Sequence, residues 1–319
     1  MAAAEPRTLT EAIRYFADPD ISHALLVSLR WPNGVHCPTC GRTDVRYIAT
    51  RRLWECKEIH PKRQFSARVG TLLEDSPLGL DKWFAAIWMV ANCKNGISSY
   101  EMARDLGITQ KSAWFLDHRV RTAMKAGSIL KAAGEVEADE TFIGGLSKNM
   151  HKARRAKAVT GTGGAGKAAV VGILRRDGKK GGSKIKTTHT PDVKRKTLHK
   201  LVRDHVEPGS HLYTDDLHAY RGLSPDYKHE VVNHAVEYVR GRVHTNGVEN
   251  FWSLLKRTIK GTYISVEPFH LEAYLDEQAF RFNEREDDDY GRFKKVLSCV
   301  FGRRFRYSDL TENGQTATA

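Results

Sequence analysis

The sequence predicts an α/β domain, with a mixed sheet flanked by helices, that follows a small cysteine-containing module and a helical domain. The 319 residues are enough for two or three domains, each with its own core. Cys37, Cys40, Cys56 and His60 lie close together in the sequence, between residues 35 and 66. After residue 135, short β-branched runs alternate with amphipathic stretches, and this alternation is typical of α/β architecture.

Hydropathy and the N-terminal residues bear on the cellular location. No apolar run approaches the roughly 20 residues that a membrane helix needs. The start, MAAAEPRTLTEAIRYFADPD, lacks the basic flank and apolar core of a signal peptide. We therefore expect a cytoplasmic protein without membrane contacts and with reduced cysteines.

Residues 35–66, VHCPTCGRTDVRYIATRRLWECKEIHPKRQFS, predict a zinc ribbon within an N-terminal domain of residues 1–68. Zinc takes four cysteine or histidine ligands in a tetrahedron, commonly from paired CxxC turns. The second turn is irregular, because Ile59 stands where its second cysteine would be. The alternative is a ribbon that has lost its metal and packs around Trp54 and Phe65. The predicted zinc ligands are Cys37, Cys40, Cys56 and His60.

Residues 69–130 predict a helix-turn-helix DNA-binding domain. Trp83 and Trp88 belong to a buried helix. Further on, the sequence predicts a helix capped by Ser98, a turn at Gly107 and a second helix over residues 109–124. This order is that of a DNA-binding helix-turn-helix, although any two-helix hairpin can have the same order. The predicted base- or phosphate-contacting residues at the start of the second helix are Gln110 and Lys111.

Positive charge is concentrated in one stretch. The chain carries a net charge of +13, and residues 144–196 alone hold 15 Lys and Arg against 2 Asp and Glu. Such a one-sided stretch predicts binding to a polyanion, with a merely solvated charge run as the alternative. Within it, the loop 144–167 is predicted to grip DNA phosphates through Arg154, Arg155 and Lys157.

The word GTGGAGK, residues 161–167, has the spacing of a nucleotide-binding P-loop but not its context. A P-loop needs a preceding strand, a following helix, and Ser or Thr after the lysine. Here Ala168 follows the lysine, and the next residues, AAVVGILRR, predict a strand. The word is therefore interpreted as a flexible part of the basic loop.

Residues 131–305 have the element order of a ribonuclease H-like domain. Three segments predict strands, EVEADETFIG, AAVVGILRR and KIKTTHT. Residues 191–206 then predict a helix, and SHLYTD predicts a strand that ends at Asp215. HEVVNH predicts a further strand, and residues 246–260 and 268–285 predict long helices. The last residues, 306–319, are expected to form a flexible tail.

Three acids occupy positions that this order would bring together: Asp139, Asp215 and Glu249, separated by 76 and 34 residues. Two-metal phosphoryl transfer needs such a group of hard carboxylate oxygens. Spacing alone leaves the neighbouring acids Glu140 and Asp216 open as alternatives.

Four segments together resemble the catalytic domain of bacterial insertion-sequence transposases of the DDE type. They are VEADETFIGG, YTDDLHAYRGL, HTNGVENFWSLLKRTIKGTY and YLDEQAFRFNER. Two further segments resemble one group of these transposases, which also carries a zinc ribbon and a helix-turn-helix. FSARVGTLLEDSPLGLDKW resembles the linker of that group, and NGISSYEMARDLGITQKSAW resembles its DNA-recognition element. The resemblance covers residues 20–305. It implies magnesium or manganese in the active site, and a metal-binding triad of Asp139, Asp215 and Glu249.

The resemblance leaves the third catalytic residue open, because some members of the group are described with Asn, which makes Asn246 a candidate. Helix geometry favours Glu249, since Lys256 lies seven residues later and on the same face, where it can hold a DNA phosphate beside the metals. Trp252 is expected to be a packing residue.

The implied function is a DNA transposase that binds terminal inverted repeats, cleaves DNA strands and transfers them to target DNA. The implied partner is double-stranded DNA, and synapsis of two ends implies at least a homodimer. A bacterial, nucleoid-associated location follows. The alternatives are a non-catalytic DNA-binding regulator on the same scaffold and a nuclease without strand transfer.

Overall fold

The computed structural model describes residues 4–125, 131–144, 167–178, 182–232 and 242–311. These residues form two compact units. One contains the chain up to residue 126 together with the chain from residue 287 onward, and the other contains residues 127–286.

The first unit begins with two helices and a small sheet. Asp18 caps the second helix by accepting the backbone N–H groups of Asp20 and Ile21. The sheet is antiparallel, with the order β1-β2-β3. Trp54 and Phe65 pair across it and are buried, as expected for a ribbon core. The elements are α1 Leu9–Phe16, α2 Pro19–Arg30, β1 Val45–Ile48, β2 Leu53–Cys56 and β3 Gln64–Phe65.

Three further helices follow: α3 Leu80–Asn92, α4 Ser99–Leu106 and α5 Gln110–Met124. The capping residues Ser98 and Thr109 are those that the sequence predicts. Gly107 turns the chain between α4 and α5 with φ of 59°, a left-handed conformation that glycine adopts without strain. Among the described residues, no helix is long and apolar enough to cross a membrane.

The second unit is built on a five-stranded mixed sheet with the order β6-β5-β4-β7-β8. The first three strands pair antiparallel, whereas β4, β7 and β8 pair parallel. The strands are β4 Glu135–Ile143, β5 Ala168–Arg175, β6 Lys184–Thr190, β7 His211–Asp215 and β8 Lys228–Val232. Strand β5 starts directly after the segment GTGGAGK, where a P-loop would be followed by a helix. The P-loop interpretation is therefore excluded, as expected.

Helices cover both faces of this sheet. Helix α6 Arg195–His205 packs on the face to which Val136, Ala138 and Val171 contribute. Helices α7 Asn246–Thr258 and α8 Pro268–Asn283 pack on the opposite face, against Val170 and Leu174. A π-helical turn, Ile259–Tyr263, extends α7. Alternate residues of each strand therefore belong to different cores.

Helix α9, Asp289–Ser298, belongs to the N-terminal unit. Phe293 lies against Phe16 and Phe84, with ring centroids 4.9 and 5.6 Å away, and Asn92 donates to the carbonyl of Asp289. The sequence places the end of the α/β domain at residue 305, whereas in the structure the second unit ends at 286. The apolar face of α9 explains the difference, because it is buried against α1 and α3.

Part of the expected flexible tail is ordered. Residues Tyr307–Leu310 form a short 3-10 helix in which Leu310 is buried. Residues 312–319 lie outside the described part of the chain.

Gly172 of β5 provides a test of how α7 packs on the sheet. A Cβ atom at this position would lie 2.7 Å from the indole of Trp252, closer than side chains tolerate. We expect Gly172→Ala to lower the free energy of unfolding by about 1–3 kcal/mol, the usual cost of overpacking. Urea unfolding measures this cost. Gly178→Ala is the control, because a Cβ there meets nothing within 4 Å. Equal stability of Gly172→Ala and the wild type would contradict the packing described.

Candidate active site and cysteine-histidine cluster

Two neighbouring parallel strands bring the predicted acids of the sheet together. Ala138 of β4 lies opposite Thr214 of β7, so the next residues, Asp139 and Asp215, lie side by side. Among the described residues, Asp139, Glu140 and Asp215 form a group in which one carboxylate oxygen of each lies within 4.8 Å of the others. Asp215 also accepts the N–H of Leu217, which fixes its carboxylate at the strand end. Carboxylate oxygens grouped in this way are the ligand type that hard cations prefer.

Asp139 is held by the helix that covers its face of the sheet. The indole Nε1–H of Trp252 donates to its Oδ2 at 2.9 Å. Trp252 is buried and packs above Gly172, the cross-strand partner of Asp139, which confirms the expected packing role. Burial, and then the charge of Asp215, raise the pKa of Asp139 to about 6. A cation beside this carboxylate would reverse that shift.

Glu140 points to the opposite face and still joins the same carboxylate group. The hydroxyl of Tyr220 donates to its Oε2 at 2.9 Å. Burial, followed by the charges of Asp215 and Asp139, raises the pKa of Glu140 to about 8. Burial also raises the pKa of Tyr220, so that its hydroxyl stays a donor. The sequence treats Glu140 only as an alternative to Asp139, but the structure places both beside Asp215.

Glu249 lies in the first turn of α7 and is exposed. The hydroxyl of Thr245 donates to its Oε1 at 2.8 Å. Glu249 is outside the group of three acids, but its charge contributes to the raised pKa of Asp139. Asn246, the alternative third residue, is exposed one turn earlier on the same helix. Asp216 is exposed and faces Arg221 at 3.7 Å, outside the group of three.

The sequence does not predict a role for two residues near the site, Glu137 and Tyr220. Glu137, two residues before Asp139, is buried, binds Arg176 and accepts the N–H of Val248 at the start of α7. Tyr220 is the second residue missed, because its contact with Glu140 joins positions 80 residues apart. The only sequence signal for Glu137 is its period-two spacing from Asp139, which puts both on one face of β4.

The predicted DNA-contacting residues are scattered over both units. Gln110 donates to the hydroxyl of Ser99, a contact that joins α5 to α4. Lys111 is exposed beside the ring of Tyr307. Lys256 is half-exposed on α7. The loop residues Arg154, Arg155 and Lys157 lie outside the described residues.

The four predicted zinc ligands come together in the ribbon. Their ligand atoms lie within 4.8 Å of one another. The Sγ of Cys37 lies 3.5 Å from Nε2 of His60, and the Sγ of Cys40 lies 3.6 Å from that of Cys56. Ligands about 2.0–2.3 Å from a tetrahedral zinc are separated by roughly 3.5–3.8 Å, so these distances fit the metal.

Two further contacts prepare this cluster for a metal. Nδ1 of His60 lies 2.7 Å from the carbonyl of Pro61, and because a carbonyl only accepts, this nitrogen carries the proton. The lone pair of Nε2 therefore faces the cysteines. Burial acts to raise the pKa of Cys37, but hydrogen bonds from the backbone N–H groups of Cys40 and Thr39 and from the side chains of Cys40 and Cys56 together lower it to about 7. Ile59, at the regular ribbon position, is 87% exposed and is not part of the cluster.

Comparison with known proteins gives two family matches and two relatives. Residues 131–283 match the ISXO2-like transposase domain, and residues 20–58 match the transposase zinc-ribbon domain. An uncharacterized protein in transposable element ISH50 of Halobacterium salinarum is 27% identical over 255 residues, which cover 77% of this chain and 84% of the relative. An uncharacterized transposase-like protein of Haemophilus influenzae is 33% identical over 104 residues, which cover 32% of this chain and 84% of the relative. The chain thus belongs to the ISXO2-like transposase family of insertion sequences, with the family's zinc-ribbon domain at its N-terminal end.

Proposed function

We propose that this protein binds the terminal inverted repeats of its insertion sequence, cleaves DNA strands there with divalent metal ions, and joins them to target DNA. The observation that carries the proposal is the partly buried pair Asp139 and Asp215. Two carboxylates side by side, one with a raised pKa, are unfavourable as anions unless a cation joins them. The family membership supplies the DNA substrate.

The sheet supports a ribonuclease H-like assignment for the second unit. Its antiparallel half, β6-β5-β4, continues into the parallel strands β7 and β8, and the first acid lies on the central strand. In the first unit, α4 and α5 with the turn at Gly107 support a helix-turn-helix reader, with Gln110 and Lys111 at the start of α5. Lys256 and the loop residues Arg154, Arg155 and Lys157 are the proposed phosphate contacts.

The acidic residues fit magnesium or manganese, because both metals prefer carboxylate oxygen ligands. Asp139, Asp215 and Glu249 would hold the ions. Bound there, the metals would activate the attacking water or 3′-hydroxyl and stabilise the charge of the leaving oxygen. Trp252 donates to Oδ2 of Asp139 and so orients this carboxylate. Tyr220 orients Glu140 beside the pair.

The ribbon cluster fits zinc by ligand type and by distance. Cys37, Cys40, Cys56 and His60 would hold the ion. Four protein ligands leave no open position, so the ion would have a structural role in fixing the ribbon. Synapsis of two element ends requires at least two copies of the chain, and we propose a homodimer on DNA.

The acids are the direct test of this function. Asp139→Asn, Asp215→Asn and Glu249→Gln should each reduce strand cleavage and joining by about 1000-fold or more, because each removes charge that holds a metal. Binding to terminal-repeat DNA should stay close to that of the wild type. Asp216→Asn is the matched control and should remain active. Asn246→Ala should be milder than Glu249→Gln. The measurement is cleavage and joining of labelled repeat DNA with Mn²⁺, together with a binding titration.

Each alternative has its own result in that assay. Specific DNA binding by the wild type without cleavage at any Mn²⁺ concentration would identify a regulator. Cleavage without joining would identify a nuclease. Full activity of Glu249→Gln with an inactive Asn246→Ala would assign the third position to Asn246.

Purified protein should contain about one zinc per chain, lost on Cys37→Ser or Cys56→Ser, because each removes a thiolate ligand. Cys93→Ser is the control, since Cys93 is not part of the cluster, and it should retain the metal. His60→Ala should weaken zinc affinity. Elemental analysis and a chelator competition measure both effects. Folded wild-type protein free of zinc would refute the assignment.

The raised pKa of Asp139 predicts how stability depends on pH in buffer without magnesium or manganese. The folded state holds the proton of Asp139 more tightly than the unfolded chain, whose aspartates titrate near 4. This residue therefore lowers stability progressively as pH rises from about 4 through about 6. Asp139→Asn should raise the Tm at pH 8 by a few degrees and change it less at pH 4.5. Thermal scans at both pH values test this.

The same scans test the metal site. Mn²⁺ should raise the Tm of the wild type at pH 8 and should raise that of Asp139→Asn much less, because the variant lacks the ligand charge. A Tm difference between the two proteins that is the same at pH 4.5 and pH 8 would contradict the pKa argument.

A further inference from the structure

The buried carboxylate of Glu137, which is not part of the acidic group, joins β4 to helix α7, the helix that carries Glu249. Glu137 is 1% exposed and lies on the same face of β4 as Asp139. Its Oε2 accepts the backbone N–H of Val248 at 2.9 Å. Its Oε1 accepts Nε of Arg176 at 2.6 Å. A charge buried this deeply is costly unless it is paired, and this one is paired on both oxygens.

Glu137 takes the place of a conventional cap for α7. The first N–H groups of a helix have no partner within it, and a capping side chain usually accepts one of them. Thr245, the capping residue by position, makes no such bond, and its hydroxyl donates to Glu249 instead. Val248 is the third residue of α7, so the carboxylate of Glu137 satisfies one of these groups. Its negative charge also matches the positive end of the helix dipole.

Arg176 holds the chain that leads into α7. Its Nη1 donates to the carbonyl of Arg242 and its Nη2 to that of His244, both at 2.6 Å. The guanidinium lies over the ring of Tyr213, 4.4 Å from the centroid. With Nε on Glu137, one planar group therefore bridges β4, β5 and the residues before α7. Lysine could not make these bonds, because its donors share one nitrogen.

The contact between helix and strand is close enough to require glycine. A Cβ atom on Gly247 would lie 2.9 and 3.0 Å from the two carboxylate oxygens of Glu137. The start of α7 therefore rests directly on this carboxylate. Val248 is next to Glu249, and Glu137 is two residues from Asp139, so a single carboxylate connects the neighbourhoods of two of the three predicted metal ligands.

We propose that Glu137 and Arg176 are positioning residues that set the distance of Glu249 from Asp139 and Asp215, and thereby the metal affinity of the site. The inference rests on the proposed function. Neither residue has to touch metal or DNA for this role. A displacement of α7 by about 1 Å would be enough to reduce catalysis by roughly 100-fold.

Three variants separate positioning from loss of the fold. Glu137→Gln keeps the shape but breaks one contact in either orientation, because its NH₂ must face either the N–H of Val248 or Nε of Arg176. Arg176→Lys keeps the charge but loses the bridge. Gly247→Ala leaves both residues of the ion pair in place and raises the helix propensity, but its Cβ pushes α7 away from Glu137. Gly247→Ala decides the matter if either of the first two fails to fold.

Matched controls lie in the same unit. Glu272→Gln alters another carboxylate that accepts a backbone N–H, that of His189 at 2.9 Å. Arg175→Lys alters the preceding arginine on β5, whose side chain leaves the strand on the other face.

The first readout is hydrogen exchange in metal-free protein without DNA. We expect the amides of residues 248–250 to exchange about tenfold faster in the three variants, the equivalent of one lost hydrogen bond, and to exchange at the wild-type rate in the controls. The second is strand cleavage against Mn²⁺ concentration. We expect the half-saturating concentration to rise about tenfold or more, kcat to fall by about 10- to 100-fold, and the Kd for repeat DNA to stay within about twofold.

Wild-type exchange at 248–250 together with wild-type Mn²⁺ dependence in all folded variants would overturn the inference. Equal losses in Glu272→Gln would also overturn it, because the effect would then be general destabilisation. The wild type separates this inference from the proposed function. If the wild type binds repeat DNA but does not cleave it, the proposed function fails, whereas exchange still reports whether Glu137 anchors α7.

Discussion

The contact of α7 with the sheet is the constraint on which the second unit depends. Trp252 lies over Gly172 and donates its N–H to Asp139. The same helix carries Glu249, whereas Asp139 belongs to the sheet. The packing of one indole on one glycine therefore sets both the core of this face and the orientation of the first acid. A larger residue at position 172 would displace the helix and its acid together.

The carboxylates of Asp139, Glu140 and Asp215 lower the stability of the folded protein when they are charged, because they are partly buried and close together. Asp139 and Glu140 leave opposite faces of β4, yet both meet Asp215, and burial raises the pKa of each. Hydrogen bonds from Trp252 and Tyr220 offset part of the cost without removing the charge repulsion. Such residual strain is typical of sites that are completed by a cation, because the ligand then contributes the missing stabilisation.

The N-terminal unit is organised around a different cluster. Three sulfurs and one imidazole nitrogen lie at the spacing of a tetrahedral site, and the carbonyl of Pro61 sets the tautomer of His60. The small sheet around them has few buried residues of its own, so cross-linking by a metal would supply what its core lacks. Helix α9, although far along the chain, adds Phe293 to the aromatic core of Phe16 and Phe84.

Much of this organisation is determined locally and could be predicted from the sequence. The caps Ser98 and Thr109, the turn at Gly107 and the strand that ends at Asp215 all depend on short-range patterns, and the structure contains each of them. The structure also places His60 beside the three cysteines, and its role as a ligand stays a prediction. The family words around Asp139 and Asp215 identified the pair that the parallel strands bring together. The DNA contacts of Arg154, Arg155 and Lys157 in the basic loop 144–167 remain a prediction.

Other features depend on contacts between distant residues, and only the tertiary structure decided them. Glu137 meets Val248 across 111 positions, and Tyr220 meets Glu140 across 80. Helix α9 joins the N-terminal unit rather than the α/β unit. Local patterns show which face of an element is apolar or charged, but not which other element will cover that face. That choice depends on the packing of the whole chain, and here it determines which carboxylates hold the helix and which remain available to a metal.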